Sequence, residues 1–261
     1  MSAFAEATAV EPVGHGAWLA SCDEGWSTQL GPNGGYLAAI VLRAMAAELR
    51  DPARHARSLT CHYLRSPRPG PVDVAVTVER SGRSVSTLTA RLGQDDRPCV
   101  IAVGAFAVEL DGVIDYNGAA PHAPPPERVQ RLPPVAEVPM TQHFDMRPSF
   151  GAPLYVGADE ALSGGWLRFD GDRSPVDAPA LAMFADAWWP SPLPRLTRPA
   201  ALPTIDLTVH FRSPAVEDGP VLAVFRSSTS AGGFFEEDGE LWSRDGVLLA
   251  HSRQLALLVE P

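Results

Sequence analysis

The chain of 261 residues is 45% hydrophobic and 20% charged, the proportions of a folded globular protein with one large domain or two modest ones. Its net charge of −10 argues against a nucleic-acid partner or an anionic membrane surface. All 21 basic residues are Arg, so lysine Schiff-base chemistry is excluded and any phosphate must be held by Arg or by backbone N–H groups.

After an irregular start, Asn33-Gly34-Gly35 leads into an Ala-rich helix from Tyr36 to Leu49 that is apolar on nearly every side. A helix without a polar face is normally buried. Strands are predicted at Leu59 to Leu64, Val72 to Arg80, Ser84 to Leu92 and Val100 to Val108, with a hairpin centred on Gly82. A segment crowded with proline, Pro121 to Pro139, reads as a stiff surface connection. Beyond it Asp177 can cap a second helix from Ala178-Pro179 through Trp188, stopped by Pro190. Strands follow again at Thr204 to Arg212, Val221 to Ser228, Glu236 to Trp242 and Val247 to Val259.

Helix first and strands second, twice, describes an α+β protein in which antiparallel sheet wraps a buried helix. The text repeats as well. Leu59-Thr60-Cys61-His62-Tyr63-Leu64-Arg65-Ser66-Pro67 returns 148 residues later as Leu207-Thr208-Val209-His210-Phe211-Arg212-Ser213-Pro214. Gly70-Pro71-Val72 answers to Gly219-Pro220-Val221, and Val100-Ile101-Ala102 to Leu248-Leu249-Ala250. The expected organisation is an N-terminal unit at 1–120, a linker at 121–150 and a C-terminal unit at 151–261.

Cys22, Cys61 and Cys99 are scattered and lack CxxC spacing, which suggests reduced cytoplasmic thiols rather than a disulfide framework or a zinc site. The acidic start, with Glu6 and Glu11, does not read as a secretory signal. The longest apolar run, Tyr36 to Leu42, is too short to span a bilayer.

Asp186 is the outlier among candidate functional residues. It sits among Leu181, Met183, Phe184, Ala185, Ala187, Trp188 and Trp189, where burying an ionised carboxylate costs several kcal/mol at least. Such a setting tunes a general base; the alternative is a helix-end acid facing solvent. Alternation places Gln254 with Ala250, Ser252 and Ala256, small residues that leave room for a water or a carbonyl; the alternative is a polar residue on an exposed strand face. The same rule places Thr204 with Asp206, Thr208 and His210, opposite Ile205, Leu207, Val209 and Phe211. Gly34-Gly35 serves either close packing or a helix start whose N–H groups face a negative oxygen. Nucleophile-elbow, HExxH and P-loop patterns are absent.

Together these segments resemble the acyl-CoA thioesterase II family, the TesB-like double hotdog thioesterases. The resemblance rests on Gly34-Gly35-Tyr36-Leu37-Ala38-Ala39, Ser58 to Arg65, Gly82-Arg83-Ser84, Thr204-Ile205-Asp206 and Asp245 up to Gln254. It implies two sheets, each around a central helix, and a catalytic Asp, Thr and Gln at Asp186, Thr204 and Gln254. The helix start at Gly34, Gly35 and Tyr36 would bind the substrate oxyanion. Ala187-Trp188-Trp189-Pro190 departs from the polar or aliphatic residues that often follow the family's Asp, which bears on pocket shape.

The first copy has its counterparts near Ala38, Ala56 and Phe106, which implies one active site per chain. The expected reaction is hydrolysis of a fatty-acyl-CoA or related thioester by activated water. No metal and no cofactor are expected, coenzyme A being part of the substrate, and a homo-oligomer is. Hydration or dehydration of an acyl thioester on the same fold, or non-catalytic acyl-CoA binding, are the alternatives. The first would need an Asp–His dyad, and no His is placed on either helix.

Overall fold

A computed structural model describes residues 2–172, 174–213 and 219–260; Pro214, which ends the repeated motif, lies outside them. A short helix α1 (Ala3–Ala7) precedes a hairpin of β1 (Glu11–Gly14) and β2 (Ala17–Cys22). The small strands β3 (Ser27–Thr28) and β4 (Gly31–Pro32) lead into helix α2 (Gly34–Leu49). Strands β5 (His55–Tyr63), β6 (Gly70–Ser81), β7 (Val85–Gln94) and β8 (Arg97–Ala107) complete the first half. The second half opens on β9 (Phe144–Phe150) and β10 (Leu162–Phe169), followed by helix α3 (Ala178–Phe184). It continues through β11 (Thr204–Phe211), β12 (Val221–Arg226), β13 (Ser230–Ala231), β14 (Phe234–Trp242) and β15 (Leu248–Leu257).

Apart from the small β3–β4 pair, the strands form one continuous antiparallel sheet rather than the two expected. Its order is β1-β2-β6-β7-β8-β5-β11-β15-β14-β12-β10-β9, with β13 paired to β14. The central β5–β11 pairing joins the halves, and the order reads the same outward in both directions. Thr60 pairs with Thr208, the residue equivalent to it in the repeat, and their hydroxyls lie 3.0 Å apart. A pseudo-twofold axis therefore passes between these two threonines. The repeat also extends further than the text showed, since β9–β10 precedes α3 as β1–β2 precedes α2. The last seven residues of the expected linker, Phe144–Phe150, thus belong to the sheet.

Helix α2 is buried on nearly all sides, as its missing polar face predicts. Tyr36, Ile40, Leu42 and Met45 are essentially inaccessible, and each large side chain of this kind contributes roughly 1.5–3 kcal/mol. Asn33 caps α2 by accepting the Tyr36 N–H at 3.0 Å, and Asp177 caps α3 through the Ala180 N–H at 2.9 Å. The α3 helix ends at Phe184, four residues before the expected Trp188. Its last turn tightens, with the Asp186 N–H donating to the Met183 carbonyl at 3.1 Å. The Asn33 side chain donates to the Asp186 carbonyl at 2.8 Å, a partner that Pro190, four residues on and without an N–H, could not supply.

The proline segment lies against the second half. Trp166 donates to the Pro124 carbonyl at 2.7 Å, and Arg147 to those of Pro126 and Val129 at 2.9 and 3.1 Å. Arg147 in turn grips the buried Asp145. No helix of the described residues is long and apolar enough to cross a membrane.

Candidate active site

The start of α2 meets the end of α3, where backbone atoms leave no room for a side chain at Gly35 and the Asp186 and Tyr63 side chains crowd Gly34. A Cβ on Gly34 would lie 2.9 Å from Asp186 Oδ2; one on Gly35 would lie 2.7 Å from the Ala182 carbonyl oxygen. Close packing thus accounts for Gly34-Gly35, and it places the helix tip on a carboxylate. Asp186 Oδ2 accepts the Gly35 N–H and the Asn33 Nδ2–H, each at 3.0 Å, and the Gly34 N–H also faces the group. The positive end of α2 favours negative charge at that point.

Burial wins nonetheless. It pushes Asp186 up from the usual 3.8 to about 6, and the bonds from Gly35, Gly34 and Asn33 hold it back only in part. The residue nevertheless keeps some accessible surface.

Thr204 and Gln254 are brought together. The Thr204 hydroxyl donates to Gln254 Oε1 at 3.2 Å, and Gln254 Nε2 donates to Glu237 Oε1 at 2.7 Å. Gln254 faces inward with Ala250, Ser252 and Ala256, as alternation along the strand requires. Thr204 does not follow alternation. Thr204 pairs with Ala256 while Asp206 pairs with Leu255, so a bulge at Ile205 adds one residue. The bulge turns Thr204 away from the face of Thr208 and His210 and in toward Gln254.

The helix-tip N–H groups expected to bind an oxyanion are engaged. Gly35 N–H serves Asp186, and Tyr36 N–H serves the Asn33 cap. The Tyr36 side chain is structural: its hydroxyl accepts the Asp23 N–H and reaches the carbonyls of Ala7 and Ser21.

Three residues at the site were not picked from the sequence. Asn33 could have been, as a cap residue before Gly-Gly. Tyr63 donates to the Gly34 carbonyl at 2.8 Å, and nothing in its strand marks it. Glu237 is one of two adjacent glutamates, and only the strand face separates the buried one from Glu236. Burial pushes Glu237 up to about 7, against bonds from Ser191 and Gln254, and the nearby Asp186 charge adds to the rise.

The sequence profile of the acyl-CoA thioesterase C-terminal domain matches residues 118–258, and that of the N-terminal domain matches residues 22–107. The chain belongs to the acyl-CoA thioesterase family. It is a thioester hydrolase. Among curated proteins no match was found.

Solved structures similar to this thioesterase include a hot dog fold protein of unknown function from Alicyclobacillus acidocaldarius. That likeness has 27% identity and a TM-score of 0.90, and covers 100% of this chain and 99% of the other. A proposed thioesterase II from Thermobifida fusca is 28% identical with a TM-score of 0.86, covering 99% and 98%. An acyl-CoA thioesterase II from Mycobacterium marinum shares the fold at 22% identity and a TM-score of 0.80, covering 99% of both chains.

Register across the sheet identifies what the thioesterase's first half holds at the equivalent places. Leu59 and Leu207 are equivalent; Leu59 pairs with Gly104, whereas Leu207 pairs with Gln254. The counterpart of Gln254 is therefore Gly104, not Phe106 as the bare offset suggests. Ala56 takes the place of Thr204, beside an equivalent bulge, and Leu88 takes that of Glu237. The polar cluster is present once in the described residues.

Two open clefts lie elsewhere. One of about 890 Å³ is lined by His210, His251, Arg253 and Asp238 on the outer sheet face; another of about 600 Å³ lies beside Phe4, Trp26 and His143. Neither touches Asp186, Thr204 or Gln254. In the larger cleft Arg253 lies 3.3 Å from Asp238.

Proposed function

We propose that this double hotdog thioesterase hydrolyses acyl-CoA thioesters by direct attack of a water held between Asp186 and Thr204. The observation that carries the reading is the asymmetric anchoring of Asp186. Oδ2 is fixed by the tip of α2, which leaves Oδ1 to accept a proton. Thr204 gives its only proton to Gln254, so toward a water it offers lone pairs. A water donating to Asp186 Oδ1 and Thr204 Oγ1 has a lone pair free to aim at the thioester carbon.

As the C–O bond forms, the water proton passes to Asp186; as the C–S bond breaks, that proton goes to the departing thiolate. The products are a free acid and coenzyme A, with no acyl-enzyme. The tip of α2 acts on this chemistry through Asp186, because the N–H groups of Gly34 and Gly35 face that carboxylate and the Tyr36 N–H serves the Asn33 cap.

The test is release of free thiol from a panel of acyl-CoAs differing in chain length and branching. Hydrolysis gives thiol and acid in equal amounts. A new hydroxyl without thiol would identify a hydratase, and a thermal shift without turnover would identify a binder; either result removes the proposal.

A further inference from the structure

We propose that Glu237 is a positioning residue that sets the direction of the hydrogen-bond chain through Gln254 to Thr204, and so makes Thr204 an acceptor toward the attacking water. The proposal rests on the water-activation reading above. An amide side chain can turn over by 180° and exchange its donor and acceptor ends. Gln254 is held against that exchange. Glu237 Oε1 takes its Nε2–H at 2.7 Å, while the Ser191 backbone N–H donates to Oε2. An ionised carboxylate only accepts, so the Gln254 nitrogen must face Glu237 and its oxygen must face Thr204. The Thr204 proton is then committed to Gln254, 3.2 Å away.

Burial and repetition both point beyond a packing role. Glu237 is 4% exposed and Gln254 5%, so the carboxylate lies in a place where an apolar residue would be easier to accommodate. The first half shows that alternative. Where the second half has Thr204, Gln254 and Glu237, it has Ala56, Gly104 and Leu88, with Leu88 fully buried. The same sheet position thus packs well without a charge. The carboxylate occurs in the copy that carries the amide and the hydroxyl.

The direction can be reversed without changing shape. In Glu237→Gln the introduced carbonyl must accept the Ser191 N–H, which is backbone and cannot turn. The introduced NH₂ then faces Gln254, which turns over and presents its own nitrogen to Thr204. The Thr204 proton is released toward the water and opposes the required alignment. The expected result is a kcat lower by about tenfold or more with KM within about twofold, in a variant that melts no lower than the wild type.

Combining Glu237→Gln with Gln254→Glu puts an acceptor back beside Thr204, and the double variant should turn over faster than either single one. That comparison holds even if one single variant folds poorly. Kinetics of the three variants on an acyl-CoA that the wild type hydrolyses make the test. Wild-type kcat in folded Glu237→Gln, or a double variant no faster than both singles, overturns the proposal. Loss of turnover in Asp186→Asn alongside intact Glu237→Gln would sink only this inference. Full turnover in Asp186→Asn would sink the reading beneath it.

Discussion

Replacing Asp186 with Asn separates the two things its burial does. Gly35 and Asn33 both donate to Oδ2, and an Asn carbonyl can occupy that place with its NH₂ where Oδ1 was. The scaffold stays and the charge goes. Raising an acid from 3.8 to about 6 corresponds to about 3 kcal/mol, and partial exposure trims this to on the order of 1–3 kcal/mol.

The sign follows from proton binding. The folded-state value lies above the unfolded one, so between about pH 4 and 6 the folded protein holds the extra proton. The Asp186 contribution to wild-type stability therefore falls as pH rises through that window and levels off above it, while Asp186→Asn lacks this loss. The variant should melt a few degrees higher than wild type at pH 8, with the gap closing toward pH 4. Its kcat should fall by about 10²-fold or more. Thermal melts across pH and steady-state thiol release are the assays. A variant less stable than wild type at pH 8 would show that the helix tip outweighs burial, and undiminished turnover would refute the general base.

Asn33→Ala removes both the cap of α2 and a donor to Asp186 Oδ2. It should destabilise the fold by about 1 kcal/mol in denaturant titration. It should also move the acid limb of kcat to higher pH, because a bond favouring the carboxylate is lost; an unmoved limb contradicts the assignment. Gly35→Ala drives a Cβ to 2.7 Å from the Ala182 carbonyl oxygen and 2.9 Å from that of Met183, both backbone. Stability should drop by about 1–3 kcal/mol and turnover with it, and wild-type melting would contradict the packing argument. Thr204→Val should lower kcat at least tenfold with little change in melting, by the scale of a misplaced reactant. In the wild type, activity should fall as pH drops below about 7, where Glu237 and then Asp186 take up protons as a coupled pair.

What the sequence made legible followed from periodicity and caps. The all-apolar run after Asn33 identified the buried helix α2, Asp177 identified the start of α3, and alternation placed Gln254 on one face with Ala250, Ser252 and Ala256. What it hid was decided by tertiary contacts. Strand β10 was not expected, and it contains Gly164 and Gly165. At φ 139° and 154° they allow the carbonyls of Ala223 and Arg147 to approach where a side chain would stand. Strand β9 contains Pro148, tolerated because β9 is an edge. The Asp186 carbonyl beyond the end of α3 finds its partner in Asn33, 153 residues away in the chain. Strict alternation put Thr204 on the outer face, and only the bulge at Ile205 turns it inward. The buried Glu237 could not be told from Glu236 before the face of β14 was known.

Single-turnover hydrolysis in H₂¹⁸O with enzyme in excess tests the central claim most directly. If Asp186 delivers a water to the thioester carbon, the released acid carries one ¹⁸O and the Asp186 carboxylate carries none. Unlabelled acid together with ¹⁸O in Asp186 would mean that the carboxylate itself attacks, and the account of an anchored base and an oriented water would be wrong.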